Sequence, residues 1–590
     1  MKNRELNIAH FSFKDDYGAM SAAYELHKTL IKKGIKSTFF VREKTREDDS
    51  IAEIGYSNSM EERLLKIINK LYFDENRINS GIAPVNFDCI GVLWDQDFED
   101  MLKMYDIFHI HWVAGLLSMD NIYRLSQLGK PIVWTMHDFH VFTGGCHCPE
   151  SCKKYEKDCS GCPALIENYM DVTRSILLEK QNKYSKNIQI VTASAWLQEI
   201  VHLSKVFRDN PCEIIPIGID TDCFVPRDKR EIRQKLGLSA DTKVILAGAQ
   251  AMFQNVKGYV HFKAVLEKIA ADSYCKELIR QRKLVLLTFG YAGEAVDYGG
   301  KVPIIHLGFI KERERLCEIY NAADVFVFPS VQDTFGMTAT EAMSCGVPAV
   351  AFDISAMKEV IISGENGYKA QVNDASDMAD CIVKILKDNP IDPRLCRKRI
   401  VDFYSLSCEA EKIIQLYHKL MEGQRTTDDE VFGSACKVNK KDKEMNIELH
   451  NFIGRCSFDI LRGIAPNQRT NMTIQELLLE YNPEFVTPEQ KVNKLLEEQK
   501  INCESLIYIY GAGEYGKRTL SQLEKSGIHI QGFWDMDEKK NGKTVEGYLV
   551  SKPGEKECVN ERIIIVAGVR YLEMIKCLMG YGYLYCQDFY

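Results

Sequence analysis

Short runs of β-branched and aromatic residues alternate along this chain with longer stretches whose apolar positions recur at helical spacing. LNIAHFSF, STFFVR, DIFHIHWV, PIVWTMHD and IQIVTAS precede residue 220, and KVILAGAQ, KLVLLTFG, VPIIHLGF, DVFVFPS and PAVAF follow it. Strands separated by amphipathic helices join through right-handed crossovers and carry helices on both faces, so each group predicts a doubly wound parallel sheet. Ligands of such sheets bind beyond the carboxyl ends of the strands, which is where chemistry is expected. The segment PIGIDTDCFVPRDKREI connects the two groups, and the polar stretch EGQRTTDDE closes the second. SLIYIYGAGEYGKRTL then restarts the alternation. The expected organisation is α/β throughout: residues 1–218 and 219–422 as two Rossmann-like domains, 423–500 as linker and helical segment, and 501–590 as a third, small Rossmann-like domain.

Composition narrows the function classes. The 590 residues are 45% apolar and 27% charged, ordinary for a globular chain of several cores. The net charge of −8 offers nothing global to a polyanion, so no nucleic-acid partner is expected. MKNRELNIAHFSF lacks the basic region and cleavage site of a secretory signal, and no long uncharged apolar run follows, so a cytoplasmic protein is expected. The amphipathic stretch MEERLLKIINKLYF, residues 60–73, suits either peripheral contact with a membrane surface or packing into a core.

FPSVQDTFGMTATEAMSCGVPAVAF, residues 328–352, places a strand, a loop, a helix and another strand in close succession. Asp333 stands before the helix and Glu341 within it, so two carboxylates flank a helix start that favours anions such as phosphate. This suits a sugar nucleotide, with hydroxyls at either end and a diphosphate between. The plain alternative is that Asp333 caps the helix and Glu341 makes a surface pair. The whole run resembles the acidic-x7-acidic signature of retaining nucleotide-sugar glycosyltransferases of family 4, whose GT-B fold sets two Rossmann-like domains face to face. VTASAWLQEIV, IIPIGIDTDCFVP and KVILAGAQAMFQNVKGYVHF occur in the family's order, and the resemblance spans about residues 1 to 422.

The resemblance implies a division of labour. Lys257 before Gly258 contacts the donor diphosphate, the backbone near Ile310 receives the nucleobase, and Phe335, Gly336, Met337 and Thr338 form the loop and helix start at the donor. Asp333 stands where the family usually has Glu, and Ala251 where it often has Arg. In the first half, Gly18 opens a helix rich in small residues, as in the family's loop facing the donor phosphates; a tight strand-to-helix turn accounts for it equally. His137, followed by Asp138, ends a strand where the family sets a His against the transferred sugar. His109 and His111 are same-face neighbours that line the cleft or pack inside it. The implied chemistry is hexosyl transfer with retention to a growing surface-polysaccharide or lipid-linked acceptor. The leaving diphosphate takes the acceptor proton, His137, Asp333 and Glu341 clamp the sugar, and no catalytic metal is needed. A glycogen-type or sucrose-type synthase is the enzyme alternative, and a nucleotide-sugar-binding scaffold or sensor is the non-enzyme alternative.

Two further motifs stand apart. GGCHCPESCKKYEKDCSGCPAL packs five cysteines into residues 146–162. Cys146, Cys152, Cys159 and Cys162 can surround a tetrahedral structural Zn²⁺, Cys159-x2-Cys162 having knuckle spacing; two disulfides or free packed thiols are the alternatives. A similar loop occurs in the branch of the family that builds bacterial capsules and exopolysaccharides. Near the C-terminus, Gly511, Gly513 and Gly516 lie between a strand and a helix, and Asp535 ends the next strand, the arrangement of a nucleotide's phosphate and ribose sites. A structural Rossmann unit is the alternative.

Overall fold

The alternating runs close into three sheets. A computed structural model describes residues 6–54, 94, 96–165, 172–251, 255–291, 301–388, 390–428, 488–497, 500–502, 504–535, 537, 539–554, 561–565 and 578. The first sheet comprises β1 (Asn7–Phe11), β2 (Lys36–Val41), β3 (Ile51–Glu53), β4 (Ile107–Ile110), β5 (Ile132–Thr135), β6 (Gln189–Thr192) and β7 (Cys212–Ile214). All are parallel, in the order β3-β2-β1-β4-β5-β6-β7. The second comprises β8 (Lys243–Ala251), β9 (Leu284–Tyr291), β10 (Ile304–His306), β11 (Val325–Phe328), β12 (Ala349–Phe352) and β13 (Gly367–Ala370). It is also parallel, in the order β10-β9-β8-β11-β12-β13. Helices cover both faces, which is why β4, β5, β6, β11 and β12 are mainly apolar and buried along their whole length. The expected α/β architecture of two Rossmann-like sheets and a smaller third is the observed one.

In both large sheets the strand order reverses at the first strand, between β1 and β4 and between β8 and β11. A crevice opens at such a switch point because the two flanking connections leave in opposite directions. The two sheets share one compact unit. One reason is the helix Leu406–Asp428, which follows the second domain in sequence yet buries Ala410, Ile413, Leu416 and Tyr417 with Ile8, Ile107, Val133 and Val191 of the first sheet. The third sheet belongs to a separate compact unit. It has the order β16-β17-β15-β14-β18, from β14 (Leu506–Tyr510), β15 (Ile530–Trp534), β16 (Thr544–Val545), β17 (Tyr548–Ser551) and β18 (Glu561–Ile565). The amphipathic stretch 60–73 and most of the 423–500 segment lie outside the described residues. Among the described residues no helix is long and apolar enough to cross a membrane.

The returning helix carries a buried acid. Glu409 accepts a hydrogen bond from the Gly218 N–H (2.8 Å) and pins the connector between the sheets. Burial pushes its carboxyl up to about 8. A raised carboxyl stabilises the fold fully below its unfolded value, and that contribution is lost as pH rises through about 8. We expect chemical-denaturation stability to fall between pH 5 and pH 9, and Glu409→Gln, which keeps the acceptor and removes the charge, to recover on the order of 4 kcal/mol at the alkaline end. An unchanged pH profile in Glu409→Gln refutes this assignment.

Candidate functional site

The loops leaving the two switch points meet at a cavity of about 410 Å³. From β1 the chain passes through Asp15 to Tyr17 into the helix Gly18–Lys32, and Gln250 stands at the carboxyl end of β8. Gly18, Ile310, Met337, Thr338 and Glu341 all line this cavity. Met337 and Thr338 form the first turn of the helix Met337–Ser344, where backbone N–H groups lack intrahelical partners and attract anions. Glu341, one turn further along, accepts a hydrogen bond from the Tyr320 hydroxyl (2.7 Å). Burial pushes its carboxyl up to about 7, against the pull of Tyr320 and Arg313. The surface-pair alternative for Glu341 is therefore not what the structure shows.

Arg313 and Arg46 also line the cavity, and neither was marked by any sequence motif. Arg313 pairs with Glu25 of the first domain (2.8 Å) and with Asp220 of the connector (3.1 Å). Arg46 follows β2, donates to the Asp15 carbonyl (3.0 Å) and stacks over Tyr24.

Lys257, Asp333, Phe335, Gly336 and His137 lie outside this lining and form a neighbouring cluster. Gly258 has a left-handed φ of +75°, and a Cβ there would come within 1.8 Å of the Pro329 carbonyl oxygen. Only glycine permits that approach, which, with the Val331 N–H bonded to the Val256 carbonyl (3.0 Å), seats Lys257 beside the loop ahead of Asp333. Lys257 Nζ donates to Asp333 Oδ2 (2.7 Å), while Asp333 Oδ1 accepts from the N–H groups of Phe335 (3.1 Å) and Gly336 (2.9 Å). Asp333 thus caps the loop and pairs a cation at once. Burial opposes its charge, but Lys257 and the two N–H groups hold it below the ordinary value. Lys257 is likewise held above its ordinary value by Asp333 despite burial. Phe335 turns inward against Tyr404, so its side chain serves the core.

His137 touches this loop through its backbone, its carbonyl accepting from Thr334 Oγ1 (2.9 Å). Its ring ends a chain of imidazoles: His10 Nδ1 bonds His111 Nε2 (2.9 Å), and His111 Nδ1 bonds His137 Nε2 (3.2 Å). Beside them His109, stacked on His111, bonds the Tyr417 hydroxyl (2.6 Å) and Thr135 Oγ1 (2.7 Å). Burial pushes His137 down to about 4, so at neutral pH its ring is uncharged. His137 Nδ1 is sealed from solvent and has no hydrogen-bond partner. The period-two spacing of His109 and His111 announced one shared face; His10 gave no signal until β1 and β4 were paired.

Asp138 accepts from His140 Nδ1 (2.6 Å), His147 Nδ1 (2.6 Å) and Trp112 Nε1 (2.7 Å). Burial opposes its charge, and the two imidazoles hold it well below the ordinary value. The sets Asp138, His140, His147 and His10, His109, His111 each bring ligand-type atoms within 4.8 Å of one another. Both are networks bonded within the protein. The adjoining cysteine loop crosses to the second domain: Cys148 Sγ and the Glu150 N–H both donate to Gln332 Oε1 (2.9 and 2.7 Å), the residue before Asp333.

In the separate C-terminal unit, Gly511, Gly513 and Gly516 follow β14 and open the helix Glu514–Lys525. A Cβ on Gly516 would lie 2.0 Å from the Gly511 carbonyl oxygen, so tight strand-to-helix packing already demands that glycine. Asp535 accepts from the Ala512 N–H (3.0 Å), the Asp537 N–H (2.9 Å) and Lys540 Nζ (2.9 Å). Its oxygens brace the glycine loop from within the unit.

Residues 228–400 match the family model described as Glycosyl transferases group 1. Over 204 residues the chain is 30% identical to D-inositol 3-phosphate glycosyltransferase 2 of Catenulispora acidiphila, a span of 32% of this chain and 46% of that one. A protein of Escherichia coli K12 named for colanic acid biosynthesis and glycosyl transfer is 23% identical over 377 residues, 60% of this chain and 85% of that one. Sucrose-phosphate synthase of Thermosynechococcus elongatus shares the fold, with a TM-score of 0.50 at 18% identity, over 71% of this chain and 100% of that one. The chain spans about half the length of several curated relatives it matches. The family model and the two sequence relatives are named for glycosyl transfer.

Proposed function

We propose that the chain transfers a hexose from a nucleotide sugar, with retention, to a growing surface-polysaccharide or lipid-linked saccharide. The observation that carries this reading is the cavity between the two switch points, which sets the Glu341 carboxylate a turn away from an anion-attracting helix start. In this reading Glu341 accepts the ribose hydroxyls, the backbone at Ile310 meets the base, and Gly18, Met337 and Thr338 face the diphosphate. Lys257 supplies the positive charge that Ala251 does not. His137, its ring uncharged, stands on the side of the transferred sugar, and Asp333 orders the loop that carries the helix start.

The chemistry needs stabilisation of charge at the leaving diphosphate; fixed N–H donors provide it without reorganisation, and Lys257 adds its positive charge from the neighbouring cluster. The diphosphate then takes the proton of the attacking hydroxyl on the same face. A binding scaffold without turnover is the second reading, favoured by one observation: Asp333 already has both oxygens engaged by Lys257 and the loop.

A thermal-shift screen with UDP-, GDP-, ADP- and CDP-sugars separates the outcomes. One nucleotide sugar should stabilise the intact protein, by about 2.7 kcal/mol at 100 times its dissociation constant. Glu341→Gln should remove that shift. Release of nucleoside diphosphate on adding acceptor distinguishes the transferase from the scaffold, and a screen with no shift for any sugar nucleotide sinks both.

A further inference from the structure

The loop Cys146–Cys162 is built like a metal knuckle, and nothing in the transfer chemistry uses it. Cys146, Cys152, Cys159 and Cys162 line one pocket of about 30 Å³, together with Thr143, Gly144 and Tyr155. That volume is about what one water or one ion occupies. All four sulfurs belong to free thiols.

Three of the sulfurs already receive backbone N–H groups. The Gly144 N–H points at Cys159 Sγ (3.3 Å), the Cys148 N–H at Cys146 and the Ala164 N–H at Cys162. Such bonds favour the thiolate, the form that ligates metal. Four thiols lining one small pocket and given N–H donors offer a cation four sulfur ligands. The backbone is shaped for it: Cys159 and Gly161 both take left-handed φ (54° and 57°), and Lys154 Nζ donates to the Ser160 carbonyl (2.8 Å), bracing the Cys159-Ser160-Gly161-Cys162 turn.

We infer that Cys146, Cys152, Cys159 and Cys162 form a structural, all-thiolate tetrahedral site for a soft divalent ion, Zn²⁺ above others. Four sulfur ligands at a tetrahedral site select zinc over harder cations. No three of these sulfurs lie within 4.8 Å of one another, so the ligand set closes only as the loop draws inward on binding. Ligation releases one proton per thiol on binding. The fifth thiol is not a ligand. Cys148 Sγ instead donates to Gln332 Oε1, beside Asp333, and the Glu150 N–H joins it there. The metal therefore fixes the loop that clamps the second domain next to the Lys257–Asp333 pair. This proposal stands independently of the donor and acceptor.

The test uses the full chain purified without chelator or affinity metal. Elemental analysis should find about one zinc per chain, and Cys159→Ser should lower that content at least several-fold while Cys148→Ser leaves it unchanged. Where Cys159→Ser fails to fold, the unaltered chain still decides: grown or exchanged with Co²⁺, it should show sulfur-to-cobalt charge transfer and the intense visible bands of a tetrahedral thiolate site. Metal-free protein with four reactive thiols overturns the proposal. So does mass spectrometry showing two disulfides in this loop, or a cobalt spectrum without sulfur charge transfer.

Discussion

Lys257→Ala should lower kcat/KM for donor by about 10²–10³-fold, the loss expected when one electrostatic stabiliser of a developing anion is removed. The effect is large because Ala251 leaves the donor domain without a second cation at the place where a phosphate-binding Arg is often found. The substitution also strips Asp333 of its partner at 2.7 Å. Both side chains keep some exposure, so we expect destabilisation of about 1–3 kcal/mol, at or below the range for breaking a fully buried pair. Removing both charges, in Lys257→Ala with Asp333→Ala, should restore much of that stability and none of the turnover. The double-mutant cycle thus separates an ion pair that holds the loop from a cation that serves the diphosphate. If Lys257→Ala retains normal kcat/KM in a folded protein, the assignment of Lys257 is wrong.

Glu341→Gln should cost about 10²-fold in kcat/KM, as a charged acceptor of two hydroxyls is replaced by an amide. It carries a pH signature as well. The carboxyl is pushed up to about 7 by burial, and the form that accepts ribose hydroxyls is the carboxylate. Donor kcat/KM should therefore rise with pH up to about 7 and level off above it, and the rising limb should vanish in Glu341→Gln. A limb that persists in the variant assigns the titration elsewhere. Tyr320→Phe removes the hydroxyl that donates to the carboxylate, so it should shift the limb to higher pH.

Much of the site was visible in local order because its parts are local. Asp333, Gly336 and Glu341 fall within nine residues on a strand, loop and helix whose apolar pattern leaves little freedom of register. Cys159-x2-Cys162 has knuckle spacing at any position in a fold. What local order left open had equally specific causes. The helix Leu406–Asp428 begins within the stretch assigned to the second domain, yet its apolar face finds its partners on the first sheet; periodicity reports that a face is apolar and cannot say which surface covers it. Asp333 posed a choice between cap and donor ligand, and its two oxygens are taken by the loop N–H groups and by Lys257.

The amino-acid order alone therefore established two parallel α/β sheets with a third later in the chain, the strand ends where chemistry belongs, and the acidic, glycine and cysteine motifs. The residues that meet there were settled by the fold. Lys257 reaches Asp333 across 76 positions, Thr334 reaches His137 across 197, and Tyr417 reaches His109 across 308. Those encounters depend on strand order and on how one domain closes on the other. Arg313 and His10 belong to the same class, one of two Arg on a charged helix and a lone His on an apolar strand, ordinary in composition until sheet order and domain closure bring them to their partners. Hydrophobic periodicity is a property of neighbours in sequence, whereas a site is a property of neighbours in space.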